Sequence, residues 1–350
     1  MSTDHTNASV QKLSIDCLDT KHRQVFSRAL QNVLSSDAAE LTYGQIVDGL
    51  PLSDIETDSK HGSVDADHPI HTKHTELCPG VLERFREIWR AYDISCLKFD
   101  STLIDGYKNA SPGSTPFETR LVEMIVVAVH QIAVQLFKSE TSLHEKDGMG
   151  DWKPDEDSSF WDCEKAMFPT LFRHEQYCDY DQYPNGMADG VAYWAEDRIF
   201  GGVVLFDRRD PDWPPNENND IEVDPDSIYF HSDKSMVTYR IYQLTEKQRC
   251  DLVNFLLSET TPPAECPIPI LGNDENHDRV DPEESVLDTG VYRDVWERKT
   301  LGDEDIDPRK DVWGIDWTSY RDFCKTRRRV ASRQRKIEMA NRRAWKRMQH

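Results

Sequence analysis

The chain has 350 residues, and its 42 Lys and Arg against 64 Asp and Glu give a net charge of −22. At roughly 150 residues per domain, this length predicts two domains or one large domain with tails. Nine Trp, 12 Tyr and 13 Phe are too many for a disordered chain, and the composition excludes collagen-like, coiled-coil and disulfide-scaffold proteins. The longest unbroken apolar run, residues 124–129, is too short for a membrane span, so no membrane association is predicted.

The eight cysteines contain no CxxC pair, which argues against zinc-ribbon and redox motifs. The N-terminus shows no basic patch followed by an apolar stretch, so no secretory signal is predicted. We therefore expect free thiols in a reduced intracellular protein that is cytoplasmic, nuclear or both. The motifs indicate no cofactor and no metal.

Apolar periodicity predicts three helices in the first 140 residues. Residues 21–35 and 81–92 each carry one apolar stripe, and residues 117–137 are apolar nearly all round, as in a helix buried within the fold. His130 in this last helix is expected to be a hydrogen-bonded core residue. Residues 53–74 are rich in Asp, Ser, Thr and His and are predicted to be a solvated linker or long loop.

The second half of the chain is predicted to be rich in β-strands. Four short apolar or alternating runs indicate strands, the first two joined by a turn at 196–198: residues 190–194, 201–206, 227–231 and 236–242. The acidic, proline-rich segment 207–227 should loop out, and Thr245 with Gln248 forms a capping box that begins a helix. Short links favour antiparallel pairing. The predicted fold is α+β: a helical N-terminal part with a buried central helix, then an antiparallel meander of about four strands closed by a helix.

Composition divides the chain into three regions. Residues 1–75 are a polar N-terminal region with one amphipathic helix, residues 76–300 are an α+β domain, and residues 301–350 are a C-terminal tail. The tail is strongly basic from residue 325, with eleven Lys and Arg between Lys325 and Arg347. Such a tail can fold back on the acidic body, bind a nuclear import receptor, or bind nucleic acid or another acidic partner. It lacks the leucine heptads of a basic zipper.

Five acidic or histidine side chains around the predicted strands form the candidate catalytic set. Carboxylates beside a cleft perform general acid–base chemistry when their surroundings separate their pKa values, and histidine titrates near neutral pH. The set is His174, Glu175, Glu196, Asp207 and His231. The alternative is that the neighbouring Arg198 and Arg208 simply pair with these carboxylates at the surface.

Two metal motifs fail. His174 and Cys178 lie four residues apart, but a Cys in place of the second His makes a poor metalloprotease motif. In the acidic loop, Pro214 and Pro215 occupy the positions where a calcium-binding loop needs an oxygen ligand and a Gly.

Aromatic side chains are also dense in this part of the sequence. They form either a ligand or partner pocket or an ordinary sheet core: Tyr177, Tyr183, Tyr193 and Trp194.

The stretch from His174 to Arg208, which includes YWAEDRIFGGVVLFDR, resembles a large family of uncharacterised fungal proteins. Residues 129–133, 267–271 and 291–299 are similar to the same family, and the resemblance covers roughly residues 80–300. It implies no reaction, cofactor or catalytic residue. The many copies that fungal genomes contain imply a lineage-specific role, such as specialised (secondary) metabolism or its regulation. The basic tail is not part of the pattern.

Three functions follow as hypotheses. The first is an intracellular interaction or regulatory module, linked to a specialised-metabolite pathway, with a protein or a small molecule as its partner. The second is a small-molecule enzyme of specialised metabolism that uses His, Glu and Asp for acid–base chemistry. The third is a nuclear protein that binds nucleic acid through its basic tail.

Overall fold

A computed structural model gives the fold of most of the first 298 residues. It describes residues 11–58, 67–139, 142–144, 147–150, 152–153, 169–209, 223–260, 263, 265–282 and 284–298, with residues 324 and 335. Most of the predicted acidic loop and nearly all of the basic tail lie outside these residues. The boundaries expected at residues 75 and 300 stay a prediction.

The N-terminal part is helical, as the sequence predicts. Its elements in chain order are β1 (Lys12–Ser14), α1 (Thr20–Leu34), α2 (Asp37–Asp48), α3 (Ser53–Asp58), α4 (Ile70–Lys73), α5 (Val81–Ala91), β2 (Lys98–Asp100), α6 (Ser101–Asn109) and α7 (Thr115–Lys138). Strands β1 and β2 form an antiparallel pair. The loop predicted over 53–74 is wrong at both ends, where α3 and α4 form. Local contacts explain this, because Ile70 and His74 are buried and anchor α4 in the fold.

Helix α7 is the buried central helix that its apolar composition predicts. It begins with the Ser114 hydroxyl accepting the Phe117 N–H, and α1, α2, α6, α8 (Met187–Phe200) and α9 (Glu246–Leu257) all pack against it. By length and composition alone α7 could cross a membrane. Because 67% of its most apolar window is buried inside the protein, and a core helix passes the same test, this is weak evidence for a span.

Helix α8 corrects the sequence prediction. Residues 190–194 are helical, not a strand, and residues 196–198 continue the same helix rather than turning. Thirteen of its fourteen residues are buried. A helix buried on all sides has no apolar stripe, so its short apolar run cannot be distinguished from a buried strand by periodicity. The helix ends at Gly201, which has the left-handed conformation (φ 101°).

The sheet has five antiparallel strands. They are β3 (Val203–Asp207), β4 (Ile228–His231), β5 (Ile241–Gln243), β6 (Arg279–Val280) and β7 (Val291–Tyr292), in the spatial order β6-β5-β4-β3-β7. Helix α9 begins with the predicted capping box, and α10 (Val286–Thr289) precedes β7. The strand expected over 236–242 forms only from Ile241, because residues 235–237 and 239–240 make turns and bends. The antiparallel pairing and the α+β class are confirmed.

Both faces of the sheet are buried, against different partners. Alternate side chains of β3 and β4, such as Val204 and Phe230, join the main core formed with the helices. The intervening ones, such as Leu205 and Tyr229, pack into a second, smaller core that contains Tyr177, Tyr183 and Tyr193. This alternation follows from the two-residue period of a strand. The tyrosines of segment 177–183 thus cover the face opposite the main helical layer.

One buried side chain links the two ends of the described chain. The Asn32 amide on α1 donates to the backbone carbonyls of Phe255, Leu256 and Ser258, at distances of 3.1, 3.3 and 3.1 Å. These carbonyls are at the C-terminal end of α9, where a helix leaves carbonyls without partners of its own. Asn32 therefore caps a helix that lies more than 200 residues further along the chain.

The end of α8 gives a first prediction. A Cβ on Gly201 would lie 2.2 Å from the Ile270 carbonyl oxygen, whereas a Cβ on the exposed Gly113, also left-handed (φ 85°), meets nothing within 4 Å. Both Ala substitutions incur the left-handed strain of about 1–2 kcal/mol. Overpacking adds about 1–3 kcal/mol only at Gly201. In urea unfolding we expect Gly201→Ala to destabilise by about 3 kcal/mol and Gly113→Ala by about 1; equal losses would contradict the contact.

Candidate functional site

A cluster of buried charged residues lies where α7, α8 and the segment after β7 meet. His130 of α7 places Nδ1 2.6 Å from Glu196 Oε1 and Nε2 3.0 Å from Asp189 Oδ1, both on α8. Arg293 donates from Nη1 to Glu196 Oε2 at 2.7 Å. Asp189 also accepts the backbone N–H and the amide of Asn185. Two cations and two carboxylates therefore form one hydrogen-bonded network, named here the His130 network.

The network keeps His130 charged. Burial opposes protonation, but the hydrogen bonds to Asp189 and Glu196 outweigh it and raise the pKa of His130 above its ordinary value. Burial likewise opposes ionisation of Glu196, but Arg293 and His130 hold its pKa below the usual range, and His130 does the same for Asp189. Both ring nitrogens of His130 face carboxylate oxygens, so both donate and the ring is an imidazolium.

A third buried carboxylate adjoins the network. Glu297 accepts the backbone N–H groups of Arg293 and Asp294, each at 3.2 Å. Burial raises the pKa of Glu297 to about 7, against the opposing influence of Arg293 and Arg298. Glu297 is fully buried, so its charge is a cost to the fold at alkaline pH. Its hydrogen bonds hold the turn that carries Arg293 towards Glu196.

A cleft of about 660 Å³ opens beside the His130 network. Its walls come from β1 and β2, α6, α7, the N-terminal half of α8 and residues 292–296, and His130, Asp189, Tyr193 and Arg293 are among the residues that line it. The volume is within the roughly 300–1,000 Å³ of small-molecule sites. The cleft therefore joins a ligand-sized space to a set of fixed buried charges.

Positive charge exceeds negative charge along the cleft. The Glu123 carboxylate pairs with two guanidinium groups at once, Arg120 at 2.7 Å and Arg208 at 2.5 Å, so one positive charge of this trio is not neutralised. Lys98 is exposed and makes no ion pair within the described residues. Its backbone is held by Gln131, which accepts its N–H and donates to its carbonyl. Asp294 also lines the cleft and pairs with Arg293, so it offsets one of these charges and the cleft presents a net excess of about one cation.

The Tyr193 side chain lines the cleft and carries a neutral hydroxyl donor. It makes no hydrogen bond to the described part of the chain, while its ring packs edge-on against His130 at 4.8 Å and lies 5.5 Å from the Arg293 guanidinium. Burial holds the pKa of Tyr193 well above its ordinary value. The phenol therefore keeps its proton at every physiological pH and can donate it in a hydrogen bond to a bound molecule.

Two of the predicted catalytic residues meet in the smaller core, away from the cleft. His174 Nε2 lies 3.1 Å from the His231 carbonyl oxygen, and the Tyr177 hydroxyl lies 3.2 Å from His231 Nδ1. All three side chains are at most 1% exposed. The Tyr177 ring also contacts Tyr193, at 4.5 Å between centroids. These residues form a hydrogen-bonded aromatic layer that supports the back of Tyr193.

The other predicted residues are dispersed. Asp207 pairs with Arg209 at the opposite end of β3 from Val203, whose partner in the sheet is His231. The turn predicted at 196–198 would place Glu196 and Asp207 on neighbouring strand ends; this is wrong, because Glu196 lies on α8. The backbone of Glu175 donates to Asp233.

The remaining aromatic candidates serve packing. Trp194 packs against Phe172 at 4.8 Å in the main core, and the Tyr183 hydroxyl donates to the Glu297 carbonyl. Of the predicted catalytic set, only Glu196 belongs to the His130 network, and of the predicted aromatic pocket, only Tyr193 lines the cleft.

Sequence reasoning overlooked Asp189 and Arg293 and assigned His130 to the core. His130 is hydrogen-bonded as expected, yet it also lines the cleft. A usable signal was present, because His130 and Glu123 interrupt an otherwise apolar helix and a buried helix retains such groups only when they are paired. The partners are up to 163 residues away, so no local motif reveals them.

Comparisons with protein-family models, curated proteins and solved structures found no match to this chain. The fungal resemblance therefore stays a prediction, and the geometry of the cleft and of the His130 network indicates what the protein can bind.

Removing the charge of His130 should destabilise the fold in a pH-dependent way. His130→Gln leaves the buried Glu196 with Arg293 as its only cation, and breaking such a pair costs about 3–5 kcal/mol. Because the folded pKa of His130 is raised, its stabilisation is complete below about pH 6.5 and is lost as pH rises through the folded value. Urea unfolding should show a larger loss at pH 6 than at pH 9. The exposed His277→Gln is the control, and a pH-independent loss would contradict the imidazolium.

Replacing the Glu297 carboxyl should stabilise the fold, whereas replacing His130 destabilises it. Since burial raises its pKa from 4.5 to about 7, the unfolded state releases this proton first, and the wild-type protein loses stability as pH rises from about 4.5 to about 7. Glu297→Gln, which resembles the neutral acid, should gain up to about 3 kcal/mol relative to wild type between pH 5 and pH 8. The exposed Glu83→Gln should gain nothing. A constant difference between Glu297→Gln and wild type across this range would show that Glu297 is ionised throughout.

Proposed function

We propose that the protein binds a small, polar, anionic molecule in the cleft beside the His130 network. The observation that supports this most directly is the excess of positive charge around a ligand-sized space. Carboxylate and phosphate groups are the natural partners of such cations, and guanidinium groups bind them in two-pronged geometry.

The charge of the whole protein makes this local excess significant. A chain with a net charge of −22 repels anions over most of its surface, so a cleft with positive charge is an electrostatic exception. Low-dielectric walls concentrate the field in such a cleft and raise the local concentration of oppositely charged ligands. Tyr193, whose ring packs against His130 and Arg293, adds one directional donor through its hydroxyl.

The arrangement favours binding over acid–base catalysis. Both nitrogens of His130 are engaged with carboxylates, so the ring supplies a fixed positive charge and has no lone pair for accepting a proton. The proposal therefore agrees with an interaction or regulatory module whose partner is a small molecule. An enzyme acting on such a molecule remains the alternative. The fungal resemblance supports a metabolite of a specialised pathway as the ligand.

Thermal unfolding of the full chain with added anions tests this proposal. Citrate and pyrophosphate should raise the unfolding temperature of the wild type beyond an equal ionic strength of sodium chloride, because a ligand that binds only the folded state stabilises it. Removing a charged contact costs about 1.5–3 kcal/mol, so Lys98→Ala should weaken the apparent affinity about ten- to a hundredfold. Tyr193→Phe should weaken it several-fold.

Lys247 provides the matched control. It is an exposed lysine on α9, paired with Asp251 and outside the cleft, so Lys247→Ala removes the same charge from the protein without touching the site. Its affinity for citrate should equal that of the wild type. Equal weakening in Lys247→Ala and Lys98→Ala would show only a general charge effect, and no stabilisation by either anion would overturn the proposal.

A further inference from the structure

A cluster of metal-ligating side chains lies away from the cleft, at the C-terminal end of α2. It brings one thiol, one carboxylate and two imidazoles together, with one ligand atom from each lying within 4.8 Å of all the others. This set, named here the four-ligand cluster, is Asp48, His74, Cys78 and His144. Nothing in the sequence-based expectations assigned it, and those expectations included no metal.

The distances within the four-ligand cluster match a tetrahedral ion. The His74 Nε2 and His144 Nε2 atoms each lie 3.2 Å from an oxygen of Asp48, and Cys78 Sγ lies 3.6 Å from His144 Nε2. Zinc binds N and O at about 2.0 Å and S at about 2.3 Å, so tetrahedral angles set such ligand atoms about 3.3 to 3.6 Å apart. Each contact has the length expected between neighbouring ligands of one ion, with His74 next to Asp48 Oδ2 and His144 next to the other oxygen, Oδ1.

The hydrogen bonds outside the cluster fix which ring nitrogens face inward. His74 Nδ1 lies 2.9 Å from the Pro51 carbonyl oxygen, and His144 Nδ1 lies 2.5 Å from Asp147 Oδ2. When each Nδ1 donates outward, each Nε2 faces the Asp48 carboxylate, and either a proton or a metal ion lies between them. Outer partners of this kind orient the histidine ligands of metal sites.

Burial and charge favour zinc over harder ions. Asp48 is fully buried, and its Oδ1 has no hydrogen bond among the described residues. His74 and His144 are 2% and 9% exposed, and Cys78 is half-buried. A thiolate, a carboxylate and two neutral imidazoles neutralise a divalent cation, and the mixture of S and N ligands is one that zinc prefers and that calcium and magnesium do not.

We propose that the four-ligand cluster binds one zinc ion in a structural site. Zinc replaces the proton of the Cys78 thiol, which leaves to solvent, while both imidazoles bind as neutral Nε2 ligands. Four protein ligands close the coordination sphere, which is typical of structural rather than catalytic zinc. The ion joins the end of α2 to the segment after α4 and to residues 142–144, which already contact α2 through the Leu143 N–H and the Asp48 carbonyl.

Metal analysis of the full chain tests this directly. Protein purified without an affinity tag should contain about one zinc per chain by mass spectrometry, and Co²⁺ added after chelation should give the visible bands of a tetrahedral ion with a thiolate charge-transfer band. The cobalt spectrum needs no variant, so it stays informative if a substitution prevents folding. Absence of both zinc and the cobalt bands would overturn the proposal and would show that hydrogen bonds, not a metal ion, hold the four side chains together.

Variants locate the ion. Cys78→Ser should abolish the charge-transfer band and lower zinc affinity at least a hundredfold, and Asp147→Asn, which removes only an outer partner of His144, should lower it about 10–100-fold. Cys178→Ser is the matched control, since Cys178 is also half-buried and also follows a histidine by four residues. Zinc retained in Cys78→Ser, or lost equally in Cys178→Ser, would refute this site.

Discussion

The fold depends on pairing the charges that helix α8 carries into the interior. The helix is buried on nearly every side, yet it contains four charged residues, and an unpaired buried charge costs several kcal/mol. Each charge therefore requires a partner from another element. Glu196 takes His130 and Arg293, Asp197 accepts the backbone N–H of Asp233, and Arg198 pairs with Asp58. These requirements fix the places of α3, α7, the loop after β4 and the segment after β7.

The same requirement explains the shape of the cleft. Because the buried Glu196 carboxylate needs a cation, Arg293 points inward to pair with it. The turn after β7 that carries Arg293 therefore forms one wall of the cleft. Because His130 and Arg293 already neutralise the carboxylates of α8, these carboxylates do not cancel the excess positive charge on the neighbouring walls of the cleft. The positive charge beside this cleft of an acidic protein is in this sense a by-product of how the interior is neutralised.

Particular residues show how much the sequence could predict. Helix α7 and the α9 capping box were predictable because each depends on local spacing, and β4 because it is a short apolar run between turns. Helix α8 was not, since full burial removes the periodicity that separates helix from strand. In the candidate site, Glu196 and Tyr193 were identified from residue type alone. Asp189 and Arg293 could not be, because only the tertiary fold brings them to His130.

The cap that Asn32 places on α9 has a consequence for synthesis on the ribosome. The amide and the carbonyls that it satisfies are 223 to 226 residues apart. At about 5–20 residues per second, α1 leaves the ribosome roughly 10–45 s before its partner has been made. During that interval its apolar stripe, including the side chains of Phe26, Leu30 and Val33, has no α9 to cover it. The nascent chain therefore requires either shielding of α1 by a chaperone or temporary packing against α2 and α7.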